Sequence, residues 1–224
     1  DYGSASTNWV NGELVLTYKS SSSLTISDGA VNADILVVGG GGGGGRSNST
    51  SSYYGSGNGG LVLAIANQTL PGGGYEIAVG AGGSGATSNG KSGSAGGESS
   101  LKGGSVSKTA AGGGGGGTSA AAGSPTTGTE SLITGASVSY GKGGVKAKDS
   151  TTAGKEGTNP GDGGTGNKRG ANGGSGAKGI VVVRLKEAYA VLEDLGLRIG
   201  GTVSEFRDAS DQPISFAYSE VTCK

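Results

Sequence analysis

The sequence predicts an all-β protein, a β-sandwich or jelly-roll-like framework whose glycine-rich insertions form polyglycine II-type helices. Three observations lead there. Of 53 glycines in 224 residues, three lie in 1–38 and three in 180–224, which leaves 47 between 39 and 179. Such a stretch cannot build ordinary helices, because each interior Gly costs about 1 kcal/mol relative to Ala. Short apolar runs rich in β-branched residues bracket it, and within it glycine recurs at steps of three.

Taken in order, Glu13–Lys19 alternates in part and Leu24-Thr25-Ile26 is a short alternating piece. Asp34–Val38 is a continuous apolar run, as a strand buried on both faces requires. Ser20–Ser23 and Ser27-Asp28-Gly29 supply turns between them. Leu61–Ala66 and Tyr75–Val79 read as a hairpin whose connection is Leu70-Pro71-Gly72-Gly73-Gly74. Weaker strands are expected at Leu101, Val106, Leu132-Ile133 and Val138–Tyr140. Ile180–Leu185 is the strongest buried-strand signal. Beyond it, Ala188–Ile199, Thr202–Arg207 and Pro213–Val221 read as strands, with turns at Gly200-Gly201 and Asp208–Asp211; Tyr189, Val191 and Leu192 also fit the start of a short helix. The organisation expected is a glycine-rich β-domain over 1–185, with insertions at 39–60 and 80–179, and a C-terminal segment of strands over 186–224.

On composition alone the middle is a flexible linker. Its spacing argues otherwise. Gly161, Gly164, Asn167, Gly170, Gly173, Gly176 and Gly179 keep one three-residue register with a single departure, and Gly90, Gly93 and Gly96 repeat the step. A polyproline II-type helix has three residues per turn and no internal hydrogen bonds, so glycine at every third position lets such chains pack and bond sideways. Read as a single rod, 161–179 would span roughly 60 Å. The register is too short and too poor in Pro for collagen.

The absences exclude several function classes. Without His there is no Ser-His-Asp triad and no imidazole metal cage. Cys223 alone makes neither a disulfide framework nor a thiolate zinc site. No apolar run reaches the roughly 18 residues of a membrane-spanning helix. With 17 basic and 17 acidic side chains, no global field draws in nucleic acid. Gly39–Gly45 after a strand imitates a dinucleotide fingerprint, but no acidic residue stands between Ile35 and Tyr75, and Arg46-Ser47-Asn48 does not open a helix. The carboxylate pairs Asp28/Asp34, Glu193/Asp194 and Asp208/Asp211 read chiefly as solvated turn residues, and Asn159–Gly163 has too few acids for a calcium loop. The expectation is a non-enzyme with no cofactor, no metal, no nucleic-acid partner and no membrane span. Asp1 in place of an initiator Met leads to the expectation of a removed signal peptide and an extracellular or cell- or virion-surface location. Sequons at Asn48-Ser49-Thr50 and Asn67-Gln68-Thr69 accord with export.

A strand ending Ile35-Leu36-Val37-Val38 and running into seven glycines is followed by Leu61-Val62-Leu63, Pro71-Gly72-Gly73-Gly74-Tyr75 and Val79-Gly80-Ala81-Gly82-Gly83. Gly112–Gly117 and Gly179-Ile180-Val181-Val182-Val183-Arg184 complete the order. This layout, over roughly 14–185, resembles the glycine-rich domains of phage tail fibres and bacterial surface proteins, and is similar to the glycine-rich extracellular domain of anaplastic lymphoma kinase. The resemblance implies a β-framework with bundled polyglycine helices displayed outside the cell or virion, at or near a receptor-binding tip in the tail fibres.

For recognition, Tyr53 and Tyr54 in their Ser/Gly loop have the chemistry of adaptable binding surfaces, although rings that cap the sandwich or cover Gly-rich backbone are the favoured reading of the pair. For subunit contacts the candidates are Trp9, which also reads as a core residue, Tyr189, Phe206, Phe216 and Tyr218. Residues 39–179 carry 11 basic and 6 acidic groups, a net +5 that the flanks balance at −5. Such polarity suits a head-to-tail homo-oligomer, and repetition of that contact builds an open filament. The function expected is therefore a self-assembling structural subunit of a surface filament or fibre. The alternatives are an adhesin for a surface glycan or protein receptor and an ice-binding surface, the latter disfavoured by the broken register.

Overall fold

The computed structural model describes residues 1–49, 55–117, 127–145, 153–186, 190–192, 197–199, 206–207 and 213–214. Among them every regular element is a strand: β1 (Ser6–Val10), β2 (Glu13–Tyr18), β3 (Ser22–Val38), β4 (Val62–Ala78), β5 (Ser99–Gly103), β6 (Val106–Ala110), β7 (Thr129–Ser131), β8 (Val138–Tyr140), β9 (Ile180–Lys186), β10 (Ala190–Leu192), β11 (Leu197–Ile199), β12 (Phe206–Arg207) and β13 (Pro213–Ile214). Among the described residues no helix is long and apolar enough to cross a membrane.

The main sheet runs β1-β2-β9-β3-β4-β5-β6, antiparallel throughout. The runs read as two-faced strands take its centre. Ile35, Val37, Val181, Val183, Leu14, Leu16 and Tyr18 point into the larger apolar cluster. Their neighbours Leu36, Val38, Ile180, Val182 and Val15 form a second cluster on the opposite face, closed by Tyr140 of the β7–β8 hairpin.

Three expectations need correction here. Leu24–Ile26 and Asp34–Val38 belong to one 17-residue strand rather than two strands parted by a turn at Ser27–Gly29. Nor is Leu70–Gly74 a hairpin connection: it lies inside β4, paired to β3 from Ser22↔Ile77 to Val38↔Val62. Both long strands absorb their turn-forming residues as bends. The register shifts between Ile26 and Ala30, where Gly29 has φ +66°, and opposite them Gly73 has φ +137°. A second shift falls between Ala33 and Ile35, where the Asn67 N–H donates to Asp34 Oδ1 at 2.9 Å and Asn67 takes φ +53°. Val62 and Ala78, opposite ends of β4, lead into one glycine bundle, so the strand folds back on itself. Leu24, Ile26, Tyr75, Ile77, Leu101 and Val106 thereby face Leu16, Ile35 and Val183 across one interior. The predicted all-β framework thus takes the form of one curled antiparallel sheet. Leu132-Ile133 is not a strand; β7 stops at Ser131. In the C-terminal segment β10-β11-β12-β13 pair in a separate four-stranded sheet. The turns expected at Gly200-Gly201 and Asp208–Asp211 lie outside the described residues.

The glycine tracts are laterally bonded. Tract 39–45 is the hub. Its N–H groups donate in rotation to three antiparallel tracts: Gly39, Gly42 and Gly45 to Leu61, Asn58 and Gly55; Gly40 and Gly43 to Gly97 and Ser94; Gly41 and Gly44 to Ala177 and Gly174. Its carbonyls accept from three parallel tracts, through Gly113 and Gly116, Gly83 and Ala86, and Gly164 and Asn167. All these bonds measure 2.8–3.0 Å. The six neighbours also bond to one another in a closed ring, in the order 55–61, 111–117, 91–97, 80–86, 173–179, 161–167 and back through Gly57 to Gly164. Partners that change every residue and return every third are the signature of polyglycine II packing, and they leave no hub amide unpaired. For the tracts joined to strands the alternation follows from the sheet, since those leaving strands run one way and those entering strands run the other; 161–167, which follows a loop, runs parallel to the hub. The single rod expected over 161–179 is instead two antiparallel tracts, 161–167 and 173–179, reversed around Gly170 at φ +104°.

Burial pushes the Tyr18 phenol up to about 12 from 10.0, with Tyr2 nearby adding to the shift. Tyr75 and Tyr140 are raised in the same direction, also by burial. A phenol harder to ionise folded than unfolded keeps its contribution below pH 10 and loses it as pH climbs toward 12. For Tyr18 this contribution is on the order of 3 kcal/mol. Thermal melts should therefore show stability falling steeply across that window, with a shallower fall in Tyr18→Phe; a flat profile would contradict a buried phenol.

Candidate functional site

The tracts that leave strands carry the chain away from the sheet, so the connections after Gly45, Ala86 and Asn167 gather at the far end of the bundle. Arg46, the first residue past the hub, organises that end. Its N–H donates to the Lys91 carbonyl and its carbonyl accepts from the Gly90 N–H, both at 2.9 Å. Its guanidinium donates to the Thr87 carbonyl and, at 2.8 Å, to Asn172 Oδ1. Ser47 N–H donates to the Asn167 carbonyl at 2.9 Å, and Arg169 N–H to the Ser49 carbonyl at 3.0 Å. Asn167 shapes its own turn: Oδ1 accepts from Lys168 N–H at 2.8 Å and Nδ2 donates to the Asn172 carbonyl at 3.1 Å. Three connections far apart in sequence are thus tied into one surface.

That surface is cationic. Its described connections, 46–49, 87–92 and 168–172, hold Arg46, Lys91, Lys168 and Arg169 and no Asp or Glu. These four cations supply most of the net +5 of residues 39–179. Lys91 and Arg169 are exposed and Arg46 is half-buried.

A polar cleft of about 470 Å³ lies on the bundle's flank, lined by Glu130, Lys142, Lys155, Glu156, Asn159 and Asp162 among others. Asp162 is committed to structure: Oδ1 accepts from Lys142 N–H and Oδ2 from Asn159 N–H, each at 2.9 Å. Asp34, weighed above as half of a carboxylate pair, bonds Lys186 Nζ at 3.0 Å and the Asn67 amide.

Of the residues singled out from sequence, Trp9 sits on the edge strand β1 with 57% of its surface exposed, so it is not a core residue. Phe206 is in β12. Tyr53, Tyr54, Tyr189, Phe216 and Tyr218 lie outside the described residues. Sequence reasoning passed over Arg46, which entered only as a departure from a nucleotide motif. The net +5 was the signal that pointed to it, but only the topology says where that charge collects.

No curated protein matches the chain. A family model described as a glycine-rich domain matches residues 17–186, from the end of β2 to the end of β9, and the chain belongs to that glycine-rich domain family.

Proposed function

We propose that this chain is a non-enzymatic protein displayed outside the cell or virion, whose glycine bundle is a rigid spacer holding its far-end loops toward a surface receptor. One observation carries this reading: the connections after Gly45, Ala86 and Asn167 converge on Arg46 at the end opposite the sheet. A hub fully bonded to six neighbours costs a great deal of backbone entropy to order, and its return is a stiff platform for exposed turns, where recognition residues concentrate. The likeness to tail-fibre glycine-rich domains, with their receptor-binding tips, supports the same reading.

A filament subunit is the second reading, favoured by the open edge strand β1 with its exposed Trp9. An unpaired edge can accept a strand from another copy.

Light scattering and electron microscopy of the purified chain, combined with a printed panel of neutral and acidic glycans, separate the two. The display reading expects a discrete particle that binds panel members saturably and loses binding when a peptide tag is inserted into the 87–90 turn. Regular polymers whose panel binding ignores the tag would establish the filament and sink the display reading.

A further inference from the structure

Resting on the reading of the far end as the recognition surface, we propose that this end binds an acidic saccharide chain, one bearing repeated carboxylate, sulfate or phosphate groups. Arg46, Lys91, Lys168 and Arg169 are brought together on it, while 45–49, 86–92 and 166–173 contain no Asp or Glu. Among the described residues no carboxylate pairs with Arg46, Lys91 or Arg169. The cations come from three separate connections and are held against their mutual repulsion by backbone bonds: Arg46 to Lys91, and Arg169 to Ser49. Charges spread over several loops match a polymer with repeating anions better than one small ion.

The surroundings favour sugar over other polyanions. Asn48, Ser88, Asn89 and Asn172 supply amides and hydroxyls that pair with sugar hydroxyls. The guanidinium of Arg46 is held through Nη1 by Thr87 and Asn172, so its positive charge is fixed at this end without first being ordered.

The test uses the full chain against immobilised polygalacturonate, dextran sulfate, neutral dextran and duplex DNA by biolayer interferometry. Two double variants accompany it: Lys91→Ala with Arg169→Ala at the far end, and Lys102→Ala with Lys108→Ala on β5 and β6, which removes the same charge elsewhere. The expected result is salt-sensitive binding to the two acidic saccharides, about tenfold weaker in the far-end variant and unchanged in the sheet variant. Equal loss in both variants, equal binding to neutral dextran, DNA binding as tight as saccharide binding, or no binding to either acidic saccharide would overturn the proposal. The glycan panel shows which reading has failed. Panel binding abolished by the 87–90 tag but indifferent to the far-end substitutions removes the acidic ligand and leaves the recognition surface. Panel binding indifferent to the tag removes both.

Discussion

Gly42→Ala should abolish cooperative folding of the bundle, at a cost above the roughly 4 kcal/mol that marks exceptional substitutions. A Cβ on Gly42 would stand 2.1 Å from the Gly114 carbonyl oxygen and 2.5 Å from its carbon. That oxygen already accepts from Asn58 N–H, and Gly42 donates to Asn58 and accepts from Gly164. The clash is thus with backbone held on several sides, and relief requires an entire tract to move outward. Overpacking an ordinary core costs about 1–3 kcal/mol because side chains can change rotamer; a carbonyl in this ring has none to change. Gly74→Ala is the matched control, since nothing lies within 4 Å of a Cβ there. Calorimetry or circular dichroism melts of the two variants give the comparison, and a Gly42→Ala protein melting beside its control would contradict the hub.

Leu36→Ala should cost about 3–5 kcal/mol. Leu36 is fully buried at the centre of the sheet, paired to Ala64 on one side and Val182 on the other. Its side chain fills the smaller cluster with Val15, Val38, Ile180, Val182 and Tyr140. Strands bonded on both edges cannot close in to fill the void, which places the cost at the upper part of the range. Leu132→Ala, at a position 65% exposed beside the same face, should stay within about 0.5 kcal/mol in the same denaturant titration. Equal losses at the two positions would mean that the second face is not a core.

Ile180–Leu185 and Asp34–Val38 were legible as central strands because unbroken β-branched runs fit burial on both faces. The continuity of β3 through Gly29, and of β4 through Pro71–Gly74, was not. Gly and Pro ordinarily end strands, and here they bend strands that the partner holds in register. The three-residue step announced polyglycine helices, yet it could not say that 161–167 and 173–179 run in opposite directions. Glycine has no side chain to mark its neighbours, so the hub at 39–45 looks the same in sequence as any linker. The far end shares that difficulty: Arg46, Lys91 and Arg169 are plain in the sequence, but their meeting depends on where three tracts end.

The hub and its ring of six tracts give the protein two unlike responses to temperature. The curled sheet draws its stability from buried apolar side chains, a driving force that fades on cooling. The bundle buries peptide groups and almost no hydrocarbon, and exposing polar surface lowers the heat capacity of unfolding where apolar surface raises it. The glycine half therefore flattens the stability curve of the whole and holds its strength in the cold, where the sheet is weakest.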